Sequence, residues 1–206
     1  MTRTKICGIT RIEDGLAAAH AGADAIGLVF FAKSPRNVAL TRAVEISQAL
    51  PPFITRVALF VNPGVDEVNA VLRQARPDVL QFHGEESPEF CRYFGVPYLK
   101  AVRVKPGVDL LQCAARYADA QGLLLDAWSD SAHGGTGESF DWSLIPLDLP
   151  RPVVLAGGLT AANVGEAIRA TRPWAVDVSS GVESSKGIKD AARIAAFMKE
   201  VRNADV

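Results

Sequence analysis

The sequence predicts a single α/β domain over residues 1–206, built from eight parallel strands that alternate with helices. Two observations lead to this fold class. Short aliphatic segments recur roughly every 24 residues, close to the minimum for one strand, one helix and two loops. Most of them are continuously apolar, as expected for strands covered on both faces. Eight such units favour a closed (β/α)8 (TIM) barrel, although an open doubly wound sheet has the same local pattern.

The predicted strands lie at residues 4–6, 25–30, 56–60, 79–82, 98–102, 123–125, 153–155 and 175–178. Amphipathic segments separate most of them, and one keeps Val68, Val71, Leu72 and Ala75 on a single helix face. The helices after the fifth and sixth strands are less clearly marked, because chain-breaking residues interrupt both segments.

Four residues mark the predicted ends of helices. Thr10 opens a capping box that predicts the start of the first helix, and Ser87 before a proline predicts the start of another. Gly22 and Gly95 stand just ahead of predicted strands, where a left-handed residue commonly ends a helix.

Composition and charge exclude several classes of protein. The chain is 49% hydrophobic and 22% charged, with a net charge of −1, so we expect neither global disorder nor binding to nucleic acid. Its longest apolar runs are too short to span a bilayer, and no secretory signal is visible. The three cysteines and three histidines are scattered, which indicates neither a disulfide framework nor a metal site. We therefore expect a cytoplasmic protein without membrane partners.

The carboxyl ends of the predicted strands hold two candidate catalytic residues, because barrels of this kind place their sites there. Cys7 follows the first strand and Asp126 the sixth. A lone cysteine is more often a small buried apolar residue, and Asp126 could simply cap the next segment. In an eight-stranded ring, however, the two would face each other across the mouth. A thiol and a carboxyl so placed make a candidate base and acid pair.

Two adjacent loops are rich in glycine and serine. Gly157 and Gly158 follow the seventh strand, and Ser179, Ser180 and Gly181 follow the eighth. A tight turn would explain the first pair alone. Together, glycines that admit a ligand to the backbone and a short helix starting after residues 180–181 favour a phosphate site.

Three further residues have open interpretations. Arg36 could hold a planar carboxylate, although spacing alone favours a solvated surface charge. Lys5 shares a strand face with Cys7 and would support a thiolate if that face lies inside the barrel. His83 is interpreted as a structural loop residue rather than a catalyst.

Seven segments in order resemble the phosphoribosylanthranilate isomerase family. They are residues 5–10 (KICGIT), 34–36 (SPR), 60–62 (FVN), 81–84 (QFHG), 134–137 (GGTG), 155–159 (LAGGL) and 177–183 (DVSSGVE). The first and last segments are the most specific. Phe82 stands where the family pattern suggests leucine.

The resemblance implies an Amadori rearrangement of N-(5-phosphoribosyl)anthranilate in tryptophan biosynthesis, with Asp126 as general acid and Cys7 as general base. Because a thiol is mostly protonated at neutral pH, Cys7 needs either a lowered pKa or a deprotonation linked to substrate binding. No metal or organic cofactor is implied, since the iminium formed from the substrate is the electron sink. The resemblance further implies that Arg36 binds the anthranilate carboxylate and that Asp177 orients site groups. It assigns the phosphate to Gly157, Gly158, Ser179, Ser180 and Gly181.

Other functions remain to be weighed against this one. A ribulose-phosphate epimerase would need metal-ligand histidines at strand ends, where this chain offers only His83, and an indole-glycerol-phosphate synthase uses different acid and base residues. A phosphate-binding barrel without catalysis is disfavoured by the presence of Cys7 and Asp126. The sequence is compatible with either a monomer or a homodimer.

Overall fold

The computed structural model describes residues 1–105, 107–127, 141–146 and 148–204. Within them, eight strands form a closed parallel barrel: β1 (Arg3–Cys7), β2 (Ala25–Phe30), β3 (Thr55–Phe60), β4 (Val79–Phe82), β5 (Tyr98–Val104), β6 (Gly122–Ala127), β7 (Val153–Leu155) and β8 (Ala175–Val178). Every predicted strand is present, and four of them are longer than predicted by one to three residues. The barrel closes because β1 pairs in parallel with both β2 and β8, which an open sheet does not allow.

The described helices lie between consecutive strands and after β8. They are α1 (Ile12–Ala21), α2 (Leu40–Ala49), α3 (Val65–Gln74), α4 (Pro88–Arg92), α5 (Leu110–Arg116), α6 (Val164–Thr171) and α7 (Ala191–Ala204). Between β6 and β7 the described residues hold only a single 3₁₀ turn, Trp142–Leu144. A second 3₁₀ turn, Ser180–Val182, follows β8 and leads into a small hairpin, β9 (Glu183–Ser185) and β10 (Ile188–Lys189). None of the described helices is long and apolar enough to cross a membrane.

The predicted capping box at Thr10 is wrong. Helix α1 begins at Ile12, and no side chain caps its first turn. The Thr10 hydroxyl instead donates a hydrogen bond to the carbonyl of Gly187, 2.5 Å away in the β9–β10 hairpin. A tertiary partner has therefore replaced the local one, and it ties the loop after β1 to the segment after β8.

The predicted helix ends at Ser87 and Gly22 are confirmed, whereas α4 ends at Arg92 with Tyr93 as its C-cap, ahead of Gly95. The Ser87 side chain accepts a hydrogen bond from the backbone nitrogen of Phe90 at the start of α4. Gly22 ends α1 with a φ of 91°, and Gly95 has a φ of 63° between α4 and β5. Both angles lie in the left-handed region that glycine adopts without strain.

Alternate residues of each strand belong to different layers of the core. In β6, Leu123 and Leu125 pack in the main core with helix residues, whereas Leu124 belongs to a separate small cluster inside the barrel. Because side chains alternate along a strand, Asp126 points to the same interior as Leu124. The barrel interior is thus apolar at this depth and becomes polar toward the carboxyl ends of the strands.

Candidate active site

A cavity at the carboxyl ends of the barrel strands gathers most of the predicted site residues. Its lining includes Cys7, Arg36, Asp126, Gly157, Gly158, Asp177, Ser179 and Ser180. Gly181 lies behind this lining, where a Cβ atom would collide with the carbonyl oxygen of Leu159. Glycine at position 181 therefore allows the loops after β7 and β8 to pack closely together. The predicted segment 134–137 lies outside the described residues.

Cys7 and Asp126 enter this cavity from strands on different sides of the barrel. Cys7 is the last residue of β1, and Asp126 is the next-to-last residue of β6, three strands away around the ring. Each residue is 6% exposed. Both groups are therefore largely shielded from water in one shared cavity, an arrangement that suits proton transfer to and from a bound molecule.

His83 contacts Asp126 directly. Its Nε2 lies 3.2 Å from Oδ2 of Asp126, and its Nδ1 lies 3.2 Å from the amide nitrogen of Gln81. All three side chains are buried. Gln81 lies on β4 and His83 directly follows that strand, so their spacing of two turns both side chains to one side, but nothing local indicates that Asp126 is the partner.

Lys5 lies inside the barrel, beside Cys7. Its Nζ is 2.8 Å from Oδ1 of Asp177, and both side chains are buried. Burial opposes the charged ammonium, but the Asp177 carboxylate and Cys7 outweigh it and raise the pKa of Lys5. Lys5 is thus a fixed cation within reach of the Cys7 thiol.

Burial raises the pKa of Cys7 above its ordinary value. The Lys5 ammonium lowers this pKa, whereas the Asp177 carboxylate raises it, and burial outweighs the help from Lys5. The sequence left two ways for Cys7 to act as a base, and the first, a lowered pKa of its thiol in the free protein, is wrong. A deprotonation linked to substrate binding is the route that remains.

Arg36 is buried rather than solvated. Its Nε and one terminal nitrogen donate to the two carboxylate oxygens of Glu183, at 2.7 and 2.8 Å. Glu183 thus binds the edge of the guanidinium group between Nε and Nη2. The opposite edge, with one N–H of Nη1 and the second N–H of Nη2, does not contact Glu183. Gly8 has a φ of 75°, and a Cβ there would lie 2.5 Å from the Arg36 side chain, so glycine lets Arg36 cross the end of β1.

Lys189 supports the loop after β8 from behind. Its Nζ lies 2.9 Å from a Glu183 oxygen and also donates to the backbone and side-chain oxygens of Ser179. Burial lowers the pKa of Lys189 despite the Glu183 carboxylate. The sequence assigned no role to Glu183 or Lys189, and a two-residue strand such as β10 carries no pattern that would have indicated one.

The two glycine and serine loops expose backbone at the cavity. Gly157 and Gly158 have φ values of 85° and 62°, and both line it. The expected short helix begins at Ser180 itself and is a single 3₁₀ turn. Among the described residues, no group of three or more histidine, cysteine, aspartate or glutamate side chains is arranged to hold a metal ion.

Comparison with known proteins shows relatives along almost the whole chain. A family model described as N-(5'-phosphoribosyl)anthranilate (PRA) isomerase matches residues 4–200. The chain is 60% identical to the N-(5'-phosphoribosyl)anthranilate isomerase of Pseudomonas aeruginosa (strain LESB58) over 201 residues, which cover 98% of this chain and 95% of that protein.

Solved structures give the same result. The crystal structure of phosphoribosyl anthranilate isomerase from Thermotoga maritima superposes with a TM-score of 0.91 at 42% identity, covering 98% of this chain and all (100%) of that one. A structure of such an isomerase in complex with reduced 1-(o-carboxyphenylamino)-1-deoxyribulose 5-phosphate superposes with a TM-score of 0.88, also at 42% identity, and covers 98% and 100% of the two chains.

The raised pKa of Cys7 predicts slow alkylation of the free protein at neutral pH. Only the thiolate reacts with iodoacetamide, so the rate should rise at a pH above the ordinary thiol value of about 8.5. Lys5→Met removes the cation that lowers this pKa and should move the midpoint to higher pH. Mass spectrometry of the Cys7 peptide across a pH series measures the midpoint.

Two further variants complete this test. Lys5→Met combined with Asp177→Asn also removes the carboxylate that raises the pKa of Cys7, so its midpoint should lie below that of Lys5→Met. Lys199→Met, on the exposed face of α7, should leave the midpoint unchanged. A midpoint in Lys5→Met equal to or below that of the unmodified protein would contradict the electrostatic role of Lys5.

Proposed function

The chain belongs to the N-(5'-phosphoribosyl)anthranilate isomerase family, and on that premise we propose that Cys7 and Asp126 catalyse the isomerisation. The substrate is N-(5'-phosphoribosyl)anthranilate, an intermediate of tryptophan biosynthesis. The observation that carries the assignment is the placement of a thiol and a carboxyl at the ends of β1 and β6, in one shielded cavity. The same cavity has a buried arginine and two glycine-containing loops on its wall.

The chemistry follows from the positions of these two groups. Asp126 donates a proton to the ribose ring oxygen, the bond from that oxygen to C1 breaks, and the nitrogen lone pair forms a Schiff base at C1. The cationic C=N acidifies the proton on C2, which Cys7 removes. The electron pair of that C–H bond moves into a C1–C2 double bond while the C=N electron pair returns to nitrogen. The resulting enolamine becomes the ketone when the C2 hydroxyl loses its proton and C1 gains one. C1 is reduced and C2 is oxidised, so the reaction is an aldose-to-ketose isomerisation that ends in 1-(2-carboxyphenylamino)-1-deoxyribulose 5-phosphate.

The iminium also explains how a thiol with a raised pKa can serve as a base. Burial favours the neutral thiol in the free protein, but a cation formed beside Cys7 stabilises the thiolate, as Lys5 already does. The substrate thus supplies the positive charge that the free site lacks. No metal or organic cofactor enters this scheme, because the iminium takes up the electron pair.

The two anionic ends of the substrate have separate recognition elements. Arg36 offers the unused end of its guanidinium fork to the anthranilate carboxylate, and Glu183 holds that fork in place. Backbone N–H groups of the loops at residues 157–158 and 179–181 bind the phosphate, with Lys189 adding positive charge behind Ser179. Asp177 contributes indirectly by holding Lys5.

We also propose that the protein acts on a small phosphosugar substrate as a monomer or a homodimer. The whole of residues 1–206 would act as one domain, in the cytoplasm, without a nucleic acid or membrane partner.

Removing either catalytic group should abolish most of the activity. Asp126→Asn and Cys7→Ala should each lower kcat by at least about 10²-fold, the low end for positioned acid–base catalysis. The rate is measured as the disappearance of N-(5'-phosphoribosyl)anthranilate in a stopped assay. Cys113→Ala, a half-buried cysteine of α5, is the matched control and should keep kcat near the unmodified value. A near-normal rate in Cys7→Ala would remove Cys7 as the base, and loss of activity on adding a chelator would overturn the cofactor-free scheme.

Replacing Arg36 tests substrate recognition. Arg36→Lys loses the planar fork that would serve Glu183 and the substrate carboxylate together, so KM should rise by about tenfold or more with a smaller change in kcat. Steady-state kinetics measure both constants. Arg42→Lys, at an exposed position of α2, should change neither constant. An unchanged KM in Arg36→Lys would show that Arg36 does not bind the substrate.

A further inference from the structure

We propose that Gln81 is a positioning residue for the isomerisation. Its side-chain amide determines which nitrogen of His83 carries the proton, and His83 in turn determines which oxygen of Asp126 donates to the substrate. The inference rests on the role proposed above for Asp126, and it adds a residue that acts on Asp126 through His83.

The three side chains form a chain of contacts inside the barrel mouth. Gln81 lies on β4 and is fully buried at 0% exposure. Its Nε2 lies 3.2 Å from Nδ1 of His83, and Nε2 of His83 lies 3.2 Å from Oδ2 of Asp126. A change at Gln81 can therefore reach the carboxyl group through one imidazole ring.

The direction of the hydrogen bonds follows from the donors available. An amide nitrogen can only donate, so Nδ1 of His83 must be the acceptor and Nε2 must carry the proton. Nε2 then donates to Oδ2 of Asp126. With the amide reversed, its oxygen could only accept, the proton would sit on Nδ1, and Nε2 could face Asp126 only if Oδ2 were protonated. The amide orientation and the site of the Asp126 proton are thus coupled.

This arrangement suits a general acid. With Oδ2 accepting from His83, the proton that Asp126 donates is carried on Oδ1. Once that proton has left, the carboxylate still holds the hydrogen bond from His83, which stabilises the conjugate base. The Gln81–His83 pair therefore favours proton donation by Asp126.

Gln81 also carries a cost that packing alone does not explain. Its Oε1 is buried and has no hydrogen-bond partner among the described residues. Its neighbours in register on the flanking strands are Leu59 and Leu99. An apolar side chain could occupy the same place without leaving a polar atom unpaired. The bond from the amide nitrogen to His83 is what distinguishes glutamine from such a residue.

The tautomer of His83 provides a test that needs no substrate. In the full chain labelled with ¹⁵N-histidine and held at mildly alkaline pH, the His83 ring should show its proton on Nε2. The signal is identified by its absence in His83→Asn. Gln81→Glu keeps the shape but can only accept, so it should move the proton to Nδ1 or protonate both nitrogens, and Gln81→Met should give a mixture of tautomers. A proton on Nδ1 in the unmodified protein, or a ring unaffected by Gln81→Glu, would overturn the proposal.

Kinetics provide the second test. Gln81→Met fills a similar volume, so a packing role would leave kcat unchanged, whereas loss of the tautomer control should lower kcat by about tenfold with KM within about twofold. Gln81→Glu should lower kcat further. Leu80→Met, the neighbouring core position on β4, is the matched control and should keep both constants. Thermal unfolding of each variant verifies folding, and a normal kcat in Gln81→Met would overturn the proposal.

The two proposals fail in different ways. If Asp126→Asn retains activity, Asp126 is not the general acid, although the His83 tautomer can still depend on residue 81. If Asp126→Asn is inactive and the His83 tautomer does not change in the Gln81 variants, only the positioning role of Gln81 is contradicted.

Discussion

The Lys5–Asp177 ion pair is the interaction on which the site depends. Strands β1 and β8 close the barrel with Lys5 directly opposite Asp177, and the two side chains meet in the interior at 2.8 Å. Two buried charges are costly to desolvate, and each is tolerated because the other lies within hydrogen-bonding distance. The pair also sets the electrostatic environment of Cys7, whose pKa the ammonium lowers and the carboxylate raises. The strand pairing that closes the barrel therefore also brings together the two charges that shift the pKa of Cys7.

The same principle recurs around the cavity, where each group proposed to meet the substrate is held by one that does not. Glu183 holds Arg36, Lys189 supports the backbone of Ser179, and His83 contacts Asp126. Glycines at neighbouring positions leave room for the side chains of the cavity. A Cβ on Gly27, for example, would lie 2.7 Å from the Cys7 sulfur. These contacts fix the orientation of the described side chains before substrate arrives, which lowers the entropy cost of orienting the reacting groups.

The sequence predicted the parts of this structure that local pattern controls. Strand positions follow from short apolar runs, and the placement of Cys7 and Asp126 follows because each residue lies at the end of such a run. Partners distant in sequence could not be found this way: Arg36 and Glu183 are 147 residues apart, and His83 and Asp126 are 43 apart. The capping box failed for the same reason, since the Thr10 hydroxyl has a better partner in Gly187, which only the closed barrel brings near. Local patterns specify elements, whereas closure specifies which polar groups meet.

The most direct test is a crystal structure of this protein with reduced 1-(o-carboxyphenylamino)-1-deoxyribulose 5-phosphate, the ligand present in a related isomerase structure. The expected result has C1 and C2 of the ligand between Cys7 and Asp126, with both side chains within about 3.5 Å of the atoms they serve. The ligand carboxylate should lie on the unused end of Arg36, and the phosphate on the backbone of residues 157–158 and 179–181. A ligand bound in the cavity with either Cys7 or Asp126 out of contact, or bound elsewhere, would contradict the proposed site.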